Sequence, residues 1–175
     1  MKTAARSRGK LKIDVVIDSG RWKKTGSIRQ LLRRAVQEAA SAQSTSGSEL
    51  AIVLTNDSAI RQLNRVWRNV DAPTNVLSFP AATKQGPDEP AHLGDIVLAY
   101  ETIAREARDE GKPLANHVAH LVVHGYLHLL GFDHERNADA EEMEQTERDI
   151  LQRLAIPDPY RHNAAKRSAP KRKSA

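Results

Sequence analysis

Residues 114–134 read LANHVAHLVVHGYLHLLGFDH, and this stretch decides both the fold and the chemistry. From Leu114 to Leu130 it is an apolar helical segment, and Gly131 supplies the left-handed residue at which such a helix stops. Five of the seven histidines fall inside it: His117, His120, His124, His128 and His134. At about 100° per residue the first four share roughly an 80° sector of the helix, so direction does not choose among them. Distance does. His120 and His128 stand about 12 Å apart along the axis, too far to share one ion at about 2.0 to 2.1 Å. His124 and His128 are one turn apart, and the glycine turn folds the chain back to present His134. The pair His120 and His124 has no comparable third ligand. Three neutral imidazoles with no fourth protein ligand leave a coordination position open, the arrangement of a catalytic zinc site. His117 and His120 are expected at the site's edge or in solvent, and His92 and His162 in loops.

The spacing H-x-x-x-H-x-x-G-x-x-H is that of the metzincin proteases, whose glutamate base follows the first histidine directly. Here that position is Gly125. The helix is therefore zincin-like as a metal scaffold, without the group that activates water in a peptidase. Met143 reads as a core-facing helical residue, not a Met-turn.

Working outward, LKIDVVID (residues 11–18) alternates Leu11, Ile13, Val15 and Ile17 on one face, a half-buried strand. Ser27 with Gln30 forms a capping-box signature ahead of a helix carrying Leu31, Leu32, Ala35, Val36 and Ala39. ELAIVLT (49–55) is a continuous apolar run, as in a central strand covered on both faces. Asn56 or Asp57 caps a second helix whose Ile60, Leu63 and Trp67 share a face. DAPTNVLSFP and LGDIVLA supply two more strands around a surface loop at 81–92, and further helices are expected at 101–110, 114–130 and 139–155. The class is α+β, a small mixed four-stranded sheet with about five helices.

The chain has 175 residues, no cysteine, and a formal net charge of +5. One domain is expected over 11–160. No thiolate site is possible, and no apolar run approaches the roughly 18 residues of a membrane span. No secretory signal is legible at the N-terminus, so a cytoplasmic location is expected. The charge is uneven: residues 1–10 hold four basic residues and 161–175 hold six, with no acid in either. Removing these ten leaves a body of 17 basic against 22 acidic residues. The ends therefore read as a basic arm and a disordered basic tail.

HGYLHLLGFDH, with LNRVWRNVDAPTNVLSFP and LGDIVLA upstream, resembles the YbeY family of bacterial endoribonucleases, from about Glu49 to Tyr160. The resemblance implies a single-strand endoribonuclease acting in ribosomal RNA maturation, notably at the small-subunit 3′ end, and in ribosome quality control. It also implies one zinc ion per chain on His124, His128 and His134, and a functional arginine at Arg68. Expected partners are ribosomal RNA and ribosomal subunits or ribosome-associated proteins, with no membrane. Nothing in the sequence speaks to oligomeric state. Trp67 stands where the family often has tyrosine, and Asn75 where aspartate is common.

Arg68, expected on the loop after the second helix, would clamp a phosphate oxygen through its planar fork. Without the resemblance it also reads as a surface arginine paired with Asp71. Asp133 could orient a ligand histidine or act on water, with Asp95 a weaker candidate. The competing classes are a metal-dependent hydrolase of another kind, such as a peptidase, and an assembly factor with a structural metal.

The tail has only charge to offer RNA. Ending the chain at Tyr160 should lower the slope of log affinity against log salt by about one to three units, with metal content unchanged. Binding measured at several salt concentrations checks this, and an unchanged slope would make the tail a solvated appendage.

Overall fold

The computed structural model describes residues 10–45, 47–82, 91–134 and 136–161. The basic arm up to Gly9, most of the 81–92 loop, His162 and the rest of the tail lie outside them. Four strands, β1 (Lys12–Ile17), β2 (Glu49–Thr55), β3 (Val76–Pro80) and β4 (His92–Ala99), form one sheet in the order β1-β2-β4-β3. The first three in that order are parallel, and β3 runs antiparallel to β4 at the edge. Among the described residues five α-helices complete the fold: α1 (Ile28–Ala42), α2 (Asp57–Arg68), α3 (Tyr100–Asp109), α4 (Leu114–Leu129) and α5 (Asn137–Arg153). The expected α+β class, mixed sheet and helix number are all present.

The two faces of the sheet are unequally covered. Leu50, Ile52, Leu54, Ile96 and Leu98 join α1, α4 and α5 in the main core. The opposite face carries a small cluster of Ile60, Leu77, Val97 and Ala99, closed by α2. That β2 is a central strand is confirmed, but its second face is only half-buried, at Ala51 and Val53. Helix α4 packs against α1, α3, α5, β3 and β4 at once, which is why it is apolar almost all round.

Local signals were met unevenly. Asn56 caps α2, its side chain accepting from the Ala59 amide at 2.9 Å. Asp57 instead takes the Thr102 amide and hydroxyl, tying α2 to α3. Ser27 occupies the N-cap of α1, yet its hydroxyl makes no capping hydrogen bond. His92, expected in a loop, begins β4 and faces Asp95 at 3.7 Å. Trp67 does not follow Ile60 into the core: it is 68% exposed, touching only the Phe79 ring of edge strand β3 among the aromatic side chains.

Gly125 explains how closely α4 approaches the sheet. A Cβ there would lie 2.9 Å from Ser78 Oγ, 3.0 Å from Ile96 Cγ2 and 3.4 Å from Val76 Cγ2. The Ser78 hydroxyl uses this closeness to donate to the Gly125 carbonyl at 3.0 Å. The position that holds a glutamate in metzincins thus points into packed side chains. Gly125→Glu should therefore create no peptidase and should cost about 3 kcal/mol or more, by burying a carboxylate among apolar groups. Thermal unfolding is the check: a fall in melting temperature of about 10 °C is expected, and an unchanged value would refute the packing role.

Candidate metal centre

The site is assembled where α4 ends. Gly131 adopts φ +91°, the Gly131 amide donates to the His128 carbonyl at 3.0 Å, and the Phe132 amide donates to the Leu127 carbonyl at 3.1 Å. This paired closure reverses the chain with its last carbonyls satisfied. His134 is thereby returned to the helix it left. Its ring centroid lies 5.0 Å from that of His128 and 5.8 Å from that of His124. One nitrogen from each of His124, His128 and His134 lies within 4.8 Å of the others, the one such group of three found among the described residues.

Hydrogen bonding assigns the tautomers. His124 Nδ1 lies 2.7 Å from Glu147 Oε1, and His128 Nδ1 lies 2.9 Å from the Phe132 carbonyl oxygen. A carboxylate and a carbonyl only accept, so both Nδ1 atoms donate. Each neutral ring then presents its Nε2 lone pair inward, and the two Nε2 atoms are 3.0 Å apart. Two lone pairs at that distance repel unless a proton or a cation sits between them. Burial and the neighbouring His124 lower the pKa of His128, which disfavours the proton. Ligands on a tetrahedral zinc stand about 3.3 Å apart. The donor set fits a metal of the imidazole-binding class, with His134, the exposed member, completing it.

Glu147 is the residue that sequence reasoning missed. It is fully buried on α5 and accepts from His120 Nε2 at 3.0 Å, from His124 Nδ1, and from the Tyr160 hydroxyl. Burial alone would push its pKa up. The hydrogen bonds from His120 and His124 outweigh that and hold it at about 2. Burial, together with the Glu147 charge, pushes the Tyr160 hydroxyl pKa up, so it stays a donor. His120, half-buried at the edge of the site as expected, bonds the same carboxylate and is part of the support behind His124. His117 is buried too, its Nε2 2.8 Å from Glu106 Oε2. A signal was available: Met143, Glu147 and Ile150 lie on one buried stripe of α5, and a carboxylate in an apolar stripe demands partners.

The remaining candidates are dispersed. Asp133 is exposed, and its carboxylate accepts the His134 amide at 2.6 Å; no hydrogen bond joins it to an imidazole among the described residues. Orientation of the ligand rings falls to Glu147 and the Phe132 carbonyl. Asp95 is half-exposed and lies 3.7 Å from His92 Nε2, beyond hydrogen-bond length. Arg68 is the last residue of α2, not a loop residue. Asp71 does not pair with it, because Arg61 holds that carboxylate through two hydrogen bonds of 2.8 and 2.9 Å. Asn75 donates to Glu106 at 3.1 Å and accepts the Val76 amide.

The family model described as Endoribonuclease YbeY matches residues 16–155. The chain belongs to the YbeY family. Its relatives include the Endoribonuclease YbeY of Rhodopseudomonas palustris strain CGA009, 54% identical over 151 residues, covering 84% of this chain and 80% of the relative. That of Nitrobacter hamburgensis is 50% identical over 153 residues, with the same coverage of both chains. Among solved structures, the solution structure of TM1509 from Thermotoga maritima matches with a TM-score of 0.52 at 22% identity, covering 92% of this chain and 99% of that one. It corroborates the fold. The YbeY match thus begins well before Glu49, taking in α1 and the end of β1.

Support behind a metal ligand is commonly worth a factor of about 10 to 100 in metal affinity. Glu147→Gln removes the charge and one acceptor, so zinc affinity should fall by about that factor while the helical circular dichroism is retained. Competition with a chelator of known affinity measures it, and wild-type affinity would show Glu147 to be a packing residue only.

Proposed function

We propose that this YbeY-family chain is a zinc-dependent, single-strand endoribonuclease that acts in ribosomal RNA maturation, at the small-subunit 3′ end, and in ribosome quality control in the cytoplasm. The observation that carries the metal-dependent part is the pair of inward Nε2 lone pairs 3.0 Å apart, with His134 beside them and no fourth protein ligand among the described residues. The relatives' name, Endoribonuclease YbeY, supports RNA as the substrate. No helix among the described residues is long and apolar enough to cross a membrane.

In this reading His124, His128 and His134 hold the ion, and Glu147 and the Phe132 carbonyl fix the first two rings. A bound zinc ion supplies Lewis acidity toward a phosphoryl oxygen and lowers the pKa of water. Arg68, with no carboxylate partner among the described residues, donates its planar fork to a non-bridging phosphate oxygen. Asp133, exposed beside His134, is the group placed to take up a proton. Ribosomal RNA, with ribosomal subunits or ribosome-associated proteins, is the partner class. A peptidase reading finds no support, since position 125 faces the sheet.

Purified protein on structured ribosomal RNA and on a generic peptide, each with and without chelator, tests the reading. Chelator-sensitive cleavage of RNA alone is expected, restored by zinc. Arg68→Ala should retain its metal and lose roughly two to three orders of magnitude of cleavage, the usual worth of one donor to transition-state charge. Wild-type turnover in that variant would remove Arg68 from the mechanism, and cleavage of the peptide would overturn the assignment.

A further inference from the structure

The end of α2 presents a surface that the fold does not use. Val66 and Trp67 are each 68% exposed and Val70 47%, whereas the chain's other tryptophan, Trp22, is fully buried. The exposed indole is nonetheless held in place. Its ring meets that of Phe79 in a T-shaped contact, centroids 5.7 Å apart at 64°, which leaves at least one indole face open. Arg65 and Arg68 lie in the same last turn. Neither has an ion-pair partner among the described residues, because the acid that follows the helix, Asp71, is held by Arg61. An open aromatic face in the same helical turn as two arginines that form no ion pair among the described residues matches one ligand chemistry, a planar base carried on a phosphate backbone.

We propose that Trp67 is a stacking platform for an unpaired base of single-stranded RNA, with Arg65 and Arg68 meeting the flanking phosphates. The assignment rests on the ribonuclease reading and adds to it a positioning residue and a reason for single-strand preference. Bases within a duplex are stacked on one another and present no face to a surface indole. Edge strand β3 links this platform to the metal helix through two consecutive residues. The Phe79 ring touches Trp67 on one face of the sheet, and the Ser78 hydroxyl bonds the Gly125 carbonyl of α4 on the other. A strand stacked on Trp67 is therefore held in fixed register to the helix that carries His124 and His128.

Trp67 can report its own occupancy, because Trp22 is sealed in the core. The full chain is titrated with a short single-stranded 2′-O-methyl RNA, which resists cleavage, with an abasic strand of equal phosphate number, and with the corresponding duplex. Tryptophan emission should be quenched by the base-bearing single strand and not by the abasic strand or the duplex. Trp67→Ala, at a position too exposed to endanger folding, should bind that strand about 5- to 150-fold more weakly, as expected for loss of one base–aromatic stack. Trp67→Phe should keep most of the affinity and lose the emission change.

Equal affinity of wild type and Trp67→Ala for the single strand would overturn the proposal, as would equal quenching by the abasic strand. Self-association in sedimentation that Trp67→Ala abolishes, with RNA affinity unchanged, would assign the patch to a second copy of the chain. RNA bound and cleaved normally by Trp67→Ala sinks this proposal alone. A wild type that neither binds nor cleaves RNA sinks the ribonuclease reading with it.

Discussion

One buried carboxylate organises the functional end of this molecule. Glu147 has no access to solvent and remains ionised, a state that costs several kcal/mol unless the charge is fully engaged. It is engaged three times, by His120 and His124 of α4 and by the hydroxyl of Tyr160, beyond the end of α5. Helix α5 cannot rotate or slide on α4 without breaking these bonds. The apolar neighbours of Glu147 on its own helix, Met143, Ile150 and Leu151, are all buried and hold the same docking. Packing and charge thus specify one register between two helices, and that register fixes the tautomer of His124.

The same logic separates what the sequence made legible from what it did not. The strands and helices were readable because their periods are set by the large core: Ile13 and Val15 on β1, and Leu32, Ala35, Val36 and Ala39 on α1, are buried as their spacing implies. The cluster of His124, His128 and His134, which could hold a metal, was readable because a helical turn and a glycine turn are local geometry. Glu147 lies 13 residues beyond His134 in a helix that also carries Glu141, Glu142 and Glu144. The apolar stripe it shares with Met143 and Ile150 marks it as buried, but its partners His120, His124 and Tyr160 are set by tertiary docking that spacing within α5 does not encode. The capping box at Ser27 failed for a different reason. The N-cap backbone has φ −83° and ψ 38°, away from the extended conformation in which a cap side chain reaches the helix amides.

Trp67 and Arg68 show where periodicity stops being informative. Ile60, Leu63 and Trp67 do lie on one stripe, but the small second core is filled by Ile60, Leu77, Val97 and Ala99, with Leu63 and Phe79 at its margin. By the last turn of α2 only the rim of edge strand β3 remains, where Phe79 meets one side of the Trp67 ring. Pattern predicts burial only as far as a partner surface extends. Arg68 was expected on a loop, but the helix runs on through it and ends on Asn69 in the left-handed conformation.

That helix end bears on how a body of acidic balance grips a polyanion. Seventeen basic against 22 acidic residues between 11 and 160 make a poor general surface for RNA. The distribution matters more than the sum. The carboxylates of Glu147 and Glu106 are spent internally on histidines, and that of Asp71 on Arg61. The bidentate Arg61–Asp71 pair holds that acid, so Arg65, which still feels its charge, and Arg68 form no ion pair among the described residues. Local pairing therefore leaves two cationic side chains without an ion pair in the last turn of α2, at the same end of the helix where Trp67 stands exposed, so a body of acidic balance still carries a local basic feature there.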